Sequence, residues 1–126
     1  MSSWPVVLVA EDDEALRKMI GHFLSDFVEV HLAADGAAAL QWLQSRDQPP
    51  DLLITDLMMP GLDGLTLVQQ MRKDDKLKRT PVIMLTAKDS PTDVVTGINA
   101  GARHYITKPF KRDDLVSRVK KVLRLE

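Results

Sequence analysis

Five short apolar runs alternate along the chain with segments whose apolar residues are spaced as on one face of a helix. The runs lie at residues 6–10, 27–32, 51–56, 81–86 and 104–107. A strand covered on both faces has such a continuous apolar run. The alternation therefore predicts an α/β fold, in which right-handed crossovers join a parallel sheet that has helices on both faces. The helix predicted over residues 91–100 has the lowest helix propensity, and we expect it to be the most mobile element.

The second run differs from the others because Val28, Val30 and Leu32 alternate with Glu29 and His31. This pattern is typical of a strand with one less buried face, and so of the edge of a sheet. The prediction is a doubly wound sheet of five strands in the order 2-1-3-4-5 with five helices. In that order the carboxyl ends of strands one, three, four and five meet at one crevice, where ligands bind.

Composition limits the classes of partner and the compartment. With 126 residues, 44% of them hydrophobic, we expect residues 1–126 to form a single domain with its own core. The absence of cysteine excludes a thiolate zinc site and thiol catalysis. The 17 basic and 18 acidic residues are mixed, so nothing indicates binding to nucleic acid or to a membrane. Because there is no leader pattern and no membrane-length apolar run, we expect a cytoplasmic protein.

Four of the predicted strands end in polar side chains that can take part in chemistry. These residues are Glu11 and Asp12 after the first strand, Asp56 after the third, Thr86 after the fourth and Lys108 after the fifth. Carboxylates gathered in one crevice repel each other by on the order of 4 kcal/mol per pair at contact distance, more than a single lysine offsets. A site of carboxylate and main-chain oxygens without Cys or His selects Mg²⁺ or Mn²⁺. The predicted metal ligands are Glu11, Asp12, Asp56 and the main-chain carbonyl of Met58.

The same set of groups predicts phosphoryl transfer. A divalent cation, an ammonium and a hydroxyl together can stabilise the negative charge that spreads over the oxygens of a migrating phosphoryl group. A carboxylate oxygen can act as the nucleophile and form an aspartyl phosphate. Asp56, at the end of the most clearly buried strand, is the candidate nucleophile.

Four segments resemble the receiver domains of two-component response regulators, the CheY-like family with a flavodoxin-like fold. They are VAEDDE at residues 9–14, ITDLMMPGLDG at 54–64, IMLTAK at 83–88 and AGARHYITKPF at 100–110. The four segments occur in the family's order, and the resemblance covers essentially the whole chain.

The resemblance implies that Asp56 accepts a phosphoryl group, in a magnesium-dependent reaction, from a phosphohistidine on a sensor histidine kinase or a histidine phosphotransfer protein. It also implies that Asp12 binds the metal directly and that Glu11 binds it through water. The implied phosphoryl-binding groups are the Thr86 hydroxyl, the Ala87 amide and the Lys108 ammonium. Such a domain catalyses its own phosphorylation and dephosphorylation and is not an enzyme acting on other substrates.

Family resemblance further implies a switch. Tyr105 matches the aromatic residue that turns inward when Thr86 moves, and the Lys108-Pro109 peptide bond is expected to be cis. The surface that changes for partner binding is formed by the predicted fourth helix, the fifth strand and the fifth helix. Five residues of that surface are Lys88, Val94, Arg103, Lys111 and Arg118.

Two other functions are weighed against this one. A phosphohydrolase with an aspartyl nucleophile generally has a second acid two residues later, where this chain has Met58. A receiver that is only a scaffold is disfavoured because every site residue is present.

The sequence says less about how the domain passes its signal on, that is, about dimerisation and an attached output domain, than about the site. In the winged-helix transcription factor branch the two residues before the tyrosine are typically acidic and pair across a dimer, whereas this chain has Arg103 and His104. We therefore expect a monomer or a weak phosphorylation-dependent dimer, either alone or attached to another kind of output domain.

Overall fold

The computed structural model describes residues 4–87 and 101–125. In chain order the elements are β1 (Val6–Ala10), α1 (Glu14–Leu24), β2 (Glu29–Ala33), α2 (Gly36–Ser45), β3 (Leu52–Asp56), α3 (Gly64–Arg72), β4 (Val82–Ala87), β5 (His104–Lys108) and α4 (Arg112–Leu123). All strand pairs are parallel and the order is β2-β1-β3-β4-β5, which confirms the predicted topology. The helix predicted over residues 91–100 lies outside the described residues, so α4 is the fifth predicted helix. None of these four helices is long and apolar enough to cross a lipid bilayer.

Aspartates determine where three of the described helices begin. Asp13, Asp35 and Asp63 each precede a helix, and each side chain accepts a hydrogen bond from a main-chain amide in the first turn. The donors are the amides of Leu16 at 3.0 Å, Ala38 at 2.7 Å and Thr66 at 2.8 Å. Such caps satisfy amides that have no partner within the helix.

Helices cover both faces of the sheet and bury two apolar layers. One layer contains Leu8, Leu53 and Met84 of the sheet with Ala39 and Leu43 of α2 and Leu67, Val68 and Met71 of α3. The other contains Val7, Val9, Ile54, Ile83 and Leu85 of the sheet with Ile20 and Leu24 of α1 and Leu115, Val116 and Val119 of α4. Because consecutive strand residues point to opposite faces, the continuous apolar runs of β1, β3 and β4 supply both layers.

The edge strand β2 is less buried than its alternation predicts. Val28, just before it, is only 2% exposed, but Leu32 is 45% exposed. The reason is that β2 has a neighbouring strand on one side only. Leu32 lies next to Gly21 of α1, but the rest of its side chain is open to solvent. At this edge of the sheet, an apolar residue is therefore not always a buried one.

Residues 72–79 have the sequence RKDDKLKR, a charge-rich pattern that predicts a solvated helix end and loop, but the segment is only partly solvated. Leu77 is 1% exposed. The guanidinium of Arg72 donates hydrogen bonds to the carbonyls of Lys78 and Thr80, both at 2.9 Å, and of Gly101 at 3.0 Å. Arg72 thus joins the end of α3 to the segments that enter β4 and β5.

Candidate functional site

The predicted site residues lie at one edge of the sheet because the strands that carry them are parallel and in register. Asp56, the last residue of β3, is paired with Leu85 of β4, so Thr86 lies one residue beyond it. Ala87, the last residue of β4, is paired with Lys108 at the end of β5. The sheet thereby brings the ends of β3, β4 and β5 to the same level.

Three carboxylates converge at this edge. One oxygen from each of Glu11, Asp12 and Asp56 lies within 4.8 Å of the other two. Glu11 is fully buried, the side chain of Asp56 is 13% exposed, and Asp12 is exposed. The structure therefore brings together the three acids that the sequence predicts as metal ligands.

The ammonium of Lys108 bridges two of these acids. Its Nζ lies 2.9 Å from Oε1 of Glu11 and 2.9 Å from Oδ2 of Asp56. Burial of the ammonium lowers the pKa of Lys108, but the hydrogen bonds to Glu11 and Asp56 outweigh that effect, and the pKa is raised above its ordinary value. Lys108 is therefore a permanent cation at neutral pH and holds Asp56 in a defined orientation.

Glu11 is held by the backbone as well as by Lys108. Burial raises the pKa of Glu11, while hydrogen bonds from Lys108 and from the main-chain amide of Asp13, at 3.1 Å, act in the opposite direction. Arg17, on the first turn and a half of α1, donates to the carbonyl of Glu11 at 2.9 Å. The sequence does not indicate this contact, because a spacing of six residues matches no recognised motif.

Thr86 and Tyr105 face the same side of the sheet. Thr86 is 1% exposed, and its hydroxyl has no hydrogen-bond partner among the described residues. Tyr105 is paired with Met84, two residues before Thr86, and its ring packs against the same apolar layer as Met84. The Tyr105 hydroxyl donates to the carbonyl of Ala102 at 2.9 Å, and burial raises the pKa of Tyr105.

Two main-chain carbonyls at the end of β3 and the start of the following loop already accept hydrogen bonds. The hydroxyl of Thr55 donates to the carbonyl of Asp56 at 3.0 Å, and the amide of Gly64 donates to the carbonyl of Leu57 at 2.9 Å. The next carbonyl along the chain belongs to Met58, whose side chain is largely exposed. On the opposite side of the site, the Lys108-Pro109 peptide bond is cis, as predicted.

The donor set fits a hard divalent cation. Three carboxylates and one ammonium give the pocket a formal excess of two negative charges when all are ionised. Every side-chain ligand is an oxygen, the type that Mg²⁺ and Mn²⁺ prefer. The Lys108 ammonium, 2.9 Å from Oδ2 of Asp56, is near enough to donate a hydrogen bond to an anion attached to that carboxylate.

The region around the start of β5 is basic. Burial lowers the pKa of His104, and the charges of Arg118, Arg103 and Lys121 lower it further. Arg103 and Lys111 are exposed. Lys88 and Val94, which belong to the predicted partner-binding surface, lie outside the described residues.

Known proteins match this chain over most of its length. The model of the response regulator receiver domain family matches residues 7–120. The response regulator MprA of Mycobacterium ulcerans (strain Agy99) is 41% identical over 121 residues, which are 94% of this chain and 50% of that protein. MprA of Mycobacterium tuberculosis (strain ATCC 25177 / H37Ra) is 42% identical over 120 residues. The chain thus spans about half the length of the curated relatives it matches.

Solved structures show the same fold. A response regulator from Chloroflexus aurantiacus J-10-fl is 36% identical, with a TM-score of 0.90 over 97% of this chain and 99% of that one. The chemotaxis protein CheY4 of Vibrio cholerae is 34% identical, with a TM-score of 0.88 over 95% of this chain and 99% of that one. These solved structures share the fold of this chain over nearly its whole length.

Proposed function

Given that this chain belongs to the response regulator receiver domain family and is the receiver of a two-component response regulator, we propose that it is switched by phosphorylation of Asp56. The observation that carries the proposal is the bridge made by Lys108, which lies 2.9 Å from both Glu11 and Asp56. This bridge orients the Asp56 carboxylate and places a cation where a phosphoryl group on Asp56 would carry its charge.

The proposed step is an in-line displacement. An oxygen of the Asp56 carboxylate attacks phosphorus, a P–O bond forms, and the P–N bond to the donor histidine breaks with its electron pair left on the imidazole nitrogen. That nitrogen then takes up a proton. The donor is the phosphohistidine of a sensor histidine kinase or of a histidine phosphotransfer protein.

Several groups of the chain stabilise the transferred group. Lys108 donates to one phosphoryl oxygen, and the hydroxyl of Thr86 and the main-chain amide of Ala87 donate to another. Glu11, Asp12, Asp56 and the Met58 carbonyl would hold Mg²⁺ or Mn²⁺. When bound, the ion supplies positive charge that offsets the repulsion between the carboxylates and the incoming phosphate.

Thr86 links this chemistry to the surface. Its hydroxyl is buried and has no hydrogen-bond partner among the described residues, so an acceptor on Asp56 would satisfy it. Movement of Thr86 toward that acceptor changes the space beside Tyr105, which lies on the same face of the sheet. Phosphorylation then biases an existing two-state equilibrium and alters the surface near β5 and α4 for partner binding.

The experiment is phosphorylation with acetyl phosphate in the presence of Mg²⁺, followed by intact mass measurement. We expect the wild-type chain to gain one phosphoryl group and Asp56→Asn to gain none. Asp47→Asn is the matched control, because Asp47 is an exposed carboxylate outside the site, and it should be phosphorylated like wild type. Beryllofluoride should shift the NMR signals of Thr86 and Tyr105 in wild type and in Asp47→Asn, but not in Asp56→Asn.

Two results would refute the proposal. The first is an equal mass gain in Asp56→Asn, which would move the acceptor elsewhere. The second is sustained turnover of p-nitrophenyl phosphate, which would favour the phosphohydrolase alternative over a self-limited phosphorylation.

A further inference from the structure

A second concentration of charge lies at the opposite end of the sheet. The amino-terminal ends of β4 and β5 and the carboxyl-terminal ends of α3 and α4 enclose a groove of about 570 Å³. Among the described residues, no carboxylate lines the groove, and five cationic residues do: Arg72, Lys78, Arg79, Arg103 and Arg124. The volume lies within the range of small-molecule sites, roughly 300–1,000 Å³. Since the whole chain has a formal net charge of −1, this cluster is a local feature.

Most of these cations have no acidic partner in the part of the chain that the structure describes. Arg79, Arg103 and Arg124 form no salt bridge there. Lys78 pairs with Asp75, whose side chain is 98% exposed, so the pair is weak. Burial lowers the pKa of Arg72, and the charge of Arg103 lowers it further, which is the expected effect of like charges held together.

A buried hydroxyl in the same groove also lacks a partner. Thr80 lines the groove and is 5% exposed, and its Oγ1 makes no hydrogen bond with any described residue. A buried polar group without a partner is costly, typically by about 1–3 kcal/mol. Because the oxygen is itself covered, a ligand with acceptor oxygens would satisfy it when the Thr80 side chain turns toward the groove.

We propose that this groove binds a diphosphate group. Guanidinium groups match the oxygens of phosphate in geometry as well as charge, and here three of them come from the segment before β4, the segment before β5 and the end of α4. The guanidinium of Arg72 adds positive charge, while its hydrogen bonds go to three main-chain carbonyls. In the described part of the chain, the groove offers His104 but no Phe, Tyr or Trp on which a nucleobase would stack. The ligand is therefore recognised by its phosphates, either free or carried by a larger molecule.

This site is separate from the phosphorylation site. The groove lies at the start of β4 and the acidic pocket at its end, and the six residues of that strand span about 16 Å. Binding can therefore be measured in metal-free buffer, in which the acidic pocket repels anions.

The test is calorimetric titration with pyrophosphate at constant ionic strength, with NMR to locate the bound anion. We expect one saturable site, with shifts at the amides of Thr80 and Gly101. Arg79→Gln and Arg103→Gln should each weaken binding about tenfold or more, the loss expected for one charge-assisted hydrogen bond. Neither side chain makes a hydrogen bond with a described residue, and circular dichroism checks that both variants fold.

Arg112→Gln is the matched control, because Arg112 lies at the other end of α4, about 18 Å from Arg124 along the helix. It should leave the affinity within about twofold, as expected for a distant site. Absence of saturable binding would overturn the proposal. So would a loss of affinity in Arg112→Gln as large as that in Arg79→Gln and Arg103→Gln, because it would indicate diffuse electrostatic attraction.

In a parallel titration with ADP, an affinity equal to that of pyrophosphate would support recognition of the phosphates alone. Failure of ADP to compete with pyrophosphate for the groove would contradict the proposal.

Discussion

Lys108 shows at the scale of one residue how burial and charge are balanced in the pocket. Desolvation alone would favour its neutral form, but the hydrogen bonds to Glu11 and Asp56 outweigh desolvation and raise its pKa. The same ammonium only partly offsets the effect of burial on Glu11, whose pKa is raised. Asp12 has no contact with Lys108 in the structure, and it is the acid whose charge is least offset. Removing that charge should therefore relieve repulsion without breaking the bridge.

Asp12→Asn should stabilise the metal-free protein by up to about 1 kcal/mol, a value limited by solvent screening of an exposed carboxylate. The same substitution should abolish the stabilisation that Mg²⁺ gives to wild type. Urea unfolding with and without Mg²⁺ measures both effects, and Asp47→Asn should respond to Mg²⁺ as wild type does. An undiminished response to Mg²⁺ in Asp12→Asn would show that this carboxylate does not hold the metal.

Thr86→Val should raise the free energy of unfolding of the unphosphorylated protein by about 1 kcal/mol, because it removes a buried hydroxyl without a described partner while keeping the shape of the side chain. It should also abolish the shift of the Tyr105 signals on addition of beryllofluoride. Thr107→Val is the control, since Thr107 is paired with Thr86 in register but is exposed. A destabilised Thr86→Val protein would mean that the hydroxyl is already satisfied.

At the scale of elements, the first residues of α2 and α3 lie very close to the main chain at and after the end of β3. A Cβ at Gly64, the first residue of α3, would lie 2.0 Å from the carbonyl oxygen of Asp56. A Cβ at Gly36, the first residue of α2, would lie 1.9 Å from the carbonyl oxygen of Leu62 in the loop after β3. Real contacts of this kind are not possible, so both positions need glycine. The loop that follows Asp56 is therefore held between α2 and the sheet.

Gly64→Ala should lower the free energy of unfolding by more than about 3 kcal/mol, beyond the usual cost of overpacking, because the obstacle is backbone. It should also slow phosphorylation by acetyl phosphate, since the end of β3 must shift. Gly61→Ala is the comparison. Gly61 has a φ of +73° and open space around it, so only the left-handed conformation is penalised, by about 1–2 kcal/mol. Equal effects of the two substitutions in chemical denaturation would contradict this account.

The whole molecule carries opposite charge at the two ends of one sheet. Three carboxylates gather where the strands end, and five cations line the groove where β4 and β5 begin. The formal net charge of −1 is the sum over 17 basic and 18 acidic residues, so it conceals both local concentrations of charge. The basic end also affects His104, whose pKa is lowered by burial and by three nearby cations.

Stability should therefore fall in mild acid. Because the pKa of His104 is lower in the folded state than its ordinary 6.5, the unfolded state takes up the proton first as pH falls. The contribution of His104 is fully present above pH 6.5 and is lost as pH falls through its lowered folded value. His104→Gln should remove that part of the pH dependence, which urea unfolding at several pH values from about 7 down to about 5 can measure. An unchanged slope in the variant would exclude His104 as the source.

Much of the fold and of the acidic pocket could be predicted because parallel strands place their carboxyl ends together. The continuous apolar runs of β1, β3 and β4 indicated strands covered on both faces, and the alternation of Val28, Val30 and Leu32 with Glu29 and His31 indicated the edge position of β2. The acids and the lysine stand directly after those strands, so local sequence was enough to gather them. The basic groove could not be predicted in this way, since its cations come from four separate segments and several sit in a run that resembles an ordinary solvated loop.

What the sequence determined by itself was the set of elements, their topology and the chemical types at each strand end, since these depend on periodicity and on position along the chain. Tertiary structure alone decided the bridge of Lys108 between two acids, the lack of a partner for the hydroxyls of Thr80 and Thr86, and the contacts of Arg72 and Arg17 with distant carbonyls. The physical reason is that burial, hydrogen bonding and charge depend on distances between segments that are far apart in the chain.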